Sequence, residues 1–221
     1  MILGKEIDLL KNYPKSKRDI SKRLEYKSEE DRLIARKFDK EFFDGERRHG
    51  YGGFSYNEKY WRNVINDFIQ YWKLNNESSV LDIGCAKGFM LYDLSLALPK
   101  IKYAGIDISK YAIENSIDAV KDNLSVGNAT KLPYADKSFD VVISINTLHN
   151  LEESDFKIAV NEINRVSKKF SFITVDAYRN EEEKEKINAW NLTAKTIKST
   201  EKWKEFFKEI NYKGDFYWFI P

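Results

Sequence analysis

From residue 79 onward the chain alternates short apolar runs with helix-patterned segments, and this rhythm restricts the fold more than any other feature. The runs fall at 79–83, 102–106, 124–126, 139–145 and 169–175, each of strand length and rich in β-branched or aromatic residues. Between them, 88–98, 109–121 and 153–167 place apolar residues at helical spacing. Such alternation predicts an α/β fold: a three-layer sandwich with a mostly parallel sheet of six or seven strands, right-handed crossovers and helices on both faces. Ligands bind such sheets beyond the carboxyl ends of the strands, so the polar residues that close each run are the ones to read.

The first run leads into Asp82-Ile83-Gly84-Cys85-Ala86-Lys87-Gly88-Phe89-Met90. This is a strand, a tight turn and a helix start, a geometry in which backbone N–H groups and the helix dipole meet a polar, nucleotide-like ligand. Gly84 suits a conformation barred to side chains, and Gly88 permits close approach. Asp82 would repel a dinucleotide pyrophosphate but suits a ligand carrying an ammonium and a sulfonium. The dinucleotide fingerprint would also need glycine at 84, 86 and 89, where this chain has Gly84, Ala86 and Phe89. Asp107 closes the second run 19 residues beyond Gly88, where an acidic side chain accepts hydrogen bonds from both ribose hydroxyls. Its plainer role is a helix N-cap, which Ser109 fills better. Asn128, after the third run, offers donor and acceptor to an adenine edge, or simply makes a turn. The fourth run, Phe139 to Ile145, opens into Asn146-Thr147-Leu148-His149-Asn150.

Together these residues resemble the class I, Rossmann-like S-adenosylmethionine-dependent methyltransferases, over about residues 56–175. Motif I matches at Asp82, Gly84 and Gly88, the acidic second-strand end at Asp107, and the adenine loop at Asn128-Ala129. Leu132-Pro133-Tyr134 through Ser138-Phe139-Asp140-Val141-Val142 matches the fourth-strand signature. The resemblance implies S-adenosylmethionine as cofactor, with Asp82, Gly84, Cys85, Ala86 and Gly88 toward its methionine part, Asp107 and Ile108 at the ribose, and Asn128, Ala129 and Asn146 completing the site. Two departures are visible: the usual middle glycine is Ala86, and the adenine-loop residue is Asn rather than Asp.

Methyl transfer from a sulfonium rests on alignment and desolvation, with a general base where the acceptor needs one. His149 is the base candidate, since imidazole titrates near neutrality; a structural histidine reads equally well. Asp176, with Tyr178 and Arg179, follows the fifth run and points to the same cleft, either touching the acceptor or capping the helix that begins near Glu181. No metal-ligating cluster stands out.

Upstream, residues 1–45 are highly charged, with basic clusters at Lys15-Lys17-Arg18 and Lys22-Arg23 and a loosely helical apolar pattern (Leu24, Leu33, Ile34, Phe38, Phe42, Phe43). Residues 47–56 combine arginines, aromatics and three glycines (Gly50, Gly52, Gly53) and predict a folded-over loop. The division expected is a helical extension and possible lid over 1–55 and a cofactor-binding domain over 56–221. A helix follows over 57–72. If the extension closes on the cleft, Arg47, Arg48 and Arg179 offer partners to an anionic acceptor, with Tyr178 beside them; Tyr51, Tyr56 and Trp61 wall its pocket, contact the cofactor's methionine end or pack in the core. After the fifth strand come charged helices at 181–191 and 200–210, leaving room for one good strand at 216–220. Gly214-Asp215 is the place for a tight turn.

The 37 basic and 35 acidic side chains nearly balance, so no global field implies nucleic acid. No apolar run reaches membrane-spanning length, the first residues lack the apolar core of a signal peptide, and the single cysteine forms no internal disulfide, so a cytoplasmic location is expected. The function expected is S-adenosylmethionine-dependent methyl transfer to oxygen or nitrogen of a small polar acceptor, anionic in one form of the reading, such as a sugar derivative or an organic acid. The alternatives are methylation of RNA or protein, and a cofactor-binding module without transfer.

Overall fold

A computed structural model describes residues 4–15, 20–25, 27–52 and 54–221. Lys17, Arg18, Gly53 and the first three residues, all singled out above, lie outside the described residues. In chain order the elements are α1 (Ile20–Glu25), α2 (Glu29–Ala35), α3 (Lys40–Phe43), α4 (Arg62–Trp72), β1 (Ser79–Ile83), α5 (Phe89–Ala97), β2 (Lys102–Asp107), α6 (Lys110–Glu114), α7 (Asp118–Lys121), β3 (Leu124–Val126) and β4 (Phe139–Ile145). A single 3-10 turn (Leu148–Asn150) then leads into α8 (Glu153–Val166), β5 (Ser167–Tyr178), α9 (Glu181–Trp190), β6 (Lys198–Ser199), α10 (Thr200–Glu209) and β7 (Asp215–Phe219).

The sheet runs β3-β2-β1-β4-β5, with β7 and the short β6 each paired to β5, and every strand pair is parallel. Strand alternation divides the core between the two faces. Leu81, Ile83, Val142, Ile173 and Val175 pack with Phe156, Val160 and Ile163 of α8 and with Trp203 and Phe207 of α10. Val80, Val141, Ile143 and Phe172 pack on the other side with Val64, Phe68 and Trp72 of α4 and with Met90, Leu91 and Leu94 of α5. The chain order reverses between β1 and β4, which places the crevice at their carboxyl ends.

Four boundaries differ from the sequence expectation, each for a local reason. The helix expected over 57–72 begins at Arg62, because 57–61 are used in turns. The helix expected over 109–121 is two short ones, since the Ile117 N–H leaves the helical ladder to bond Lys87 O at 3.2 Å. The fifth strand runs on to Tyr178, held by β6, which pairs Lys198 with Ala177 and Ser199 with Tyr178. Asp176 and Tyr178 therefore lie inside a strand rather than in the loop after it. The last strand comes back parallel to β5 because α10 makes a full crossover; Gly214 makes no hairpin, and a Cβ there would sit 2.0 Å from Ser171 Oγ.

The N-terminal region does two different things. Lys5 and Ile7 bond Phe216 along the outer edge of β7 (Phe216 N–H to Lys5 O and Ile7 N–H to Phe216 O, both 3.0 Å), and Leu9 is buried among the α4-side core. Farther along, Ala35, Phe42 and Phe43 form a third apolar cluster with Ala112 of α6 and Leu192, and Tyr51, Phe54 and Ala86 of the glycine turn pack against it. This second stretch crosses the carboxyl ends of the strands.

Candidate functional site

β1 and β2 set up the turn. The Gly84 and Cys85 N–H groups donate to Ile106 O (2.7 and 3.2 Å), folding the loop onto the end of β2. Gly84 sits at φ +83°, with Thr147 Oγ1 only 2.0 Å from where a Cβ would lie. Gly88, at φ +79°, opens α5 in the left-handed region and abuts Leu124 and Val120. The middle position, Ala86, is held at φ +49°, so the chain tolerates a side chain there at some backbone strain. Asp107 braces the turn: its Oδ2 accepts from Ala86 N–H and its Oδ1 from Ser109 N–H, both at 2.8 Å. Ser109 is the N-cap of α6, through Ala112 N–H at 3.0 Å.

Asp82 is the electrostatic anomaly of the site. It is 5% exposed, and among the described residues no donor reaches its carboxylate. Burial, with the nearby Asp107 charge, pushes its pKa up to about 8, and burial raises that of Asp107 as well. A buried carboxylate of this kind is relieved by a cation. Beside it, Ile108 is 56% and Val126 52% exposed at the ends of β2 and β3, forming an apolar shelf. Asn128 makes the local turn expected of the plainer reading: its Oδ1 accepts from Thr130 N–H (2.9 Å) and Thr130 Oγ1 (3.0 Å), which leaves its amide NH2 for other use. Ala129 is half-buried against the α8-side core. Cys85 contributes backbone only, because its thiol is packed under the turn among the α4-side core, where burial raises its pKa well above the usual range. Asn146, at φ +51°, is locked to β5 by Thr174, whose Oγ1 accepts from Asn146 N–H and donates to Asn146 Oδ1, each at 2.9 Å.

His149 and Asp176 meet, but not as a base and its exposed partner. His149 is 4% exposed and its Nδ1 accepts the Asp176 backbone N–H at 2.9 Å. Burial lowers its pKa to about 3. The neutral ring then carries its proton on Nε2 and has no free lone pair on either nitrogen. The Asp176 carboxylate comes within 3.4 Å of the same Nδ1, and its carbonyl accepts from Trp203 Nε1 at 2.9 Å. The pair ties the 3-10 turn to β5.

The expected acceptor-binding residues separate into different positions. Arg48 is engaged by the buried Asp31 (2.7 and 3.2 Å), and Arg179 by Glu183. Tyr178 is half-buried with Lys184 near its ring. Tyr56 donates to Asp93 Oδ1 at 2.7 Å, an arrangement that, with burial, pushes its pKa up to about 12. Tyr51 accepts the Leu192 and Thr193 N–H groups (2.7 and 3.3 Å), fastening the loop to the segment after α9. Arg47 lies 5.7 Å from the Trp190 ring.

Two features escaped sequence reading. Lys87, 7% exposed within the glycine turn, meets both oxygens of Asp44 at 2.7 Å, and Tyr111 donates to the same carboxylate at 2.7 Å. Arg23, 7% exposed, lies 4.8 Å from the Trp190 ring and 5.5 Å from Tyr51, and donates to Arg47 O and Gly50 O. Neither had a spacing signal, since both depend on a loop folding back on a turn.

A family model described as a methyltransferase domain matches residues 74–215, well over half the chain. A demethylmenaquinone methyltransferase from Roseiflexus sp. (strain RS-1) is 33% identical over 91 residues, 40% of this chain and 37% of that protein. A tRNA (carboxymethyluridine(34)-5-O)-methyltransferase from Arabidopsis thaliana is 33% identical over 132 residues, 59% of this chain and 31% of that protein. The chain thus spans about a third of the length of these relatives. Among solved structures, the YcgJ protein of Bacillus subtilis superposes with a TM-score of 0.53 at 23% identity, covering 66% of each chain, and shares the fold.

Proposed function

The chain belongs to the Rossmann-like, S-adenosylmethionine-dependent methyltransferases, and on that premise we propose that it transfers a methyl group to oxygen or nitrogen of a small polar acceptor held between the strand ends and the N-terminal segment. S-adenosylmethionine supplies an electrophilic methyl group on a sulfonium centre. The observation that carries the site assignment is the unpartnered, buried Asp82 beside the glycine turn, whose local field favours a cation such as the ammonium of the cofactor. Asp107 takes the ribose hydroxyls with a carboxylate already oriented by two backbone N–H groups. Ile108 and Val126 flank the adenine, with the Asn128 amide at its edge, and the backbone of Gly84 to Ala86 lies along the methionine part.

His149 and Asp176 serve in this reading as positioning residues for the floor of the acceptor site. With both imidazole nitrogens committed, His149 takes no proton from the acceptor. The relatives' names span a quinone and a tRNA nucleoside, so the acceptor is chosen by what surrounds the shared turn rather than by the turn. In this chain that surrounding is the segment from Arg23 to Tyr56.

Calorimetry with S-adenosylhomocysteine tests the reading. Asp107→Ala is expected to lose about 1–3 kcal/mol of binding, the usual loss when charged hydrogen bonds are removed. An unchanged affinity would sink the ribose assignment. Release of S-adenosylhomocysteine across a panel of sugar derivatives, amines and organic acids then identifies the acceptor class.

A further inference from the structure

Arg23 and Arg47 are two guanidiniums set around one aromatic ring that, among the described residues, pair with no acid. Arg48 is held by Asp31, Lys87 by Asp44 and Arg32 by Glu29. The guanidiniums of Arg23 and Arg47 meet only backbone carbonyls: Arg23 those of Arg47 (3.1 Å) and Gly50 (3.0 Å), Arg47 that of Gly50 (2.7 Å). Both groups lie within 6 Å of the Trp190 ring, at 4.8 and 5.7 Å. Burial depresses the pKa of each, and the charge of Arg47 lowers that of Arg23 further.

A helix C-terminus does not account for them. Trp190 ends α9, but the last carbonyls of that helix are served by Lys27, whose Nζ donates to Asn188 O and Ala189 O. The two arginines are extra positive charge, brought together at a cost in desolvation and mutual repulsion. Such an arrangement is relieved by an anion. A guanidinium beside an aromatic ring pairs in its own plane, and the N–H groups that Arg23 and Arg47 do not give to carbonyls match a carboxylate.

Its position relates this pair to the reaction crevice. Tyr51, 5.9 Å from Trp190 and under Arg23, accepts the Leu192 and Thr193 N–H groups, and Lys195 and Thr196 of the same segment donate to His149 O beyond the carboxyl end of β4. We infer that Arg23 and Arg47, set around Trp190, form a subsite that anchors a carboxylate of the methyl acceptor. The inference rests on the methyltransferase reading for what the anchored molecule receives, and it narrows the acceptor to carboxylate-bearing compounds.

Nitrogen-15 spectra of the arginine Nε–H groups test it with malonate as the probe and malonamide as its uncharged match, at constant chloride. Two resonances, identified by their loss in Arg23→Lys and Arg47→Lys, are expected to shift saturably with malonate and to stay still with malonamide. Arg47→Gln, at the more exposed of the two positions, is expected to weaken malonate about tenfold or more. Unmoved resonances, an equal response to malonamide, or an unchanged malonate affinity in Arg47→Gln would overturn the subsite. The titration is run with and without S-adenosylhomocysteine, whose own binding is measured in the same samples. Failure of that binding counts against the cofactor site, and failure of malonate alone counts against the arginines.

Discussion

Asp82 and His149 are buried ionisable groups with opposite preferences, and their pH dependences separate. The Asp82 value, pushed up to about 8, lies above that of the unfolded chain, so the folded protein keeps a proton that the unfolded chain releases. Its stabilising contribution is full below about pH 4 and is lost as pH rises through 8. His149, lowered to about 3 from 6.5, excludes a proton on folding; its contribution is present above 6.5 and lost as pH falls toward 3. Between pH 6.5 and 8 Asp82 therefore supplies the falling slope, with Asp107 acting in the same direction and Lys27, whose pKa burial lowers to about 8, opposing it as pH nears 8. The melting temperature of the cofactor-free protein is expected to fall across that window, and Asp82→Asn should flatten the fall. An equal decline in the variant would mean that Asp82 is not the group responsible.

At the scale of elements, the glycine turn and the loop above it behave as one unit. Lys87 projects from the turn into Asp44 just after α3, and Tyr111 of α6 closes on the same carboxylate. Asp44→Asn leaves the buried ammonium without a countercharge, a loss of up to about 3 kcal/mol in an environment this enclosed. The expected outcome is faster dissociation of S-adenosylhomocysteine in stopped-flow measurements, with the dissociation rate raised roughly tenfold or more. A rate equal to that of the parent would uncouple the loop from the turn. This contact also marks the limit of sequence reading. The positive φ of Gly84 and Gly88 and the place of Asp82 and Asp107 at strand ends were legible because they are set by neighbours at fixed spacing along the chain. The partners of Lys87, Arg23 and Tyr51 lie 43, 24 and 141 residues away and carry no local pattern. For His149 the sequence left a base and a structural role equally open: it lies after β4 as expected, but its burial and the Asp176 N–H that occupies Nδ1 are tertiary facts. Likewise β6, two residues long, is below what alternation can reveal, yet it pairs Ala177 and Tyr178, just beyond Asp176, which Phe219 of β7 pairs.

Over the whole molecule, the all-parallel sheet leaves β7 as an edge, and Lys5 to Ile7 lie along it. The close approach depends on Gly4, where a Cβ would come 2.0 Å from Gly214 O, a backbone atom that cannot swing aside. Gly4→Ala is expected to cost about 1–3 kcal/mol of stability by forcing this edge apart. Because the glycine turn follows β1, three strands across the sheet from β7, S-adenosylhomocysteine affinity in the surviving folded protein should stay within about twofold, read by thermal melting and calorimetry together. The Phe216 N–H to Lys5 O bond joins residues 211 positions apart, the longest loop closure among the hydrogen bonds of the described residues. During synthesis, β1 to β4 and the cofactor turn emerge and can pair long before β7 exists to receive its neighbour. For that interval the opening residues have no docking site, and the flank of β5 is an unpaired ribbon open to other chains. A nascent chain of this protein is thus most exposed to misassociation between the emergence of β5 and that of β7, when the strands around the glycine turn can already pair.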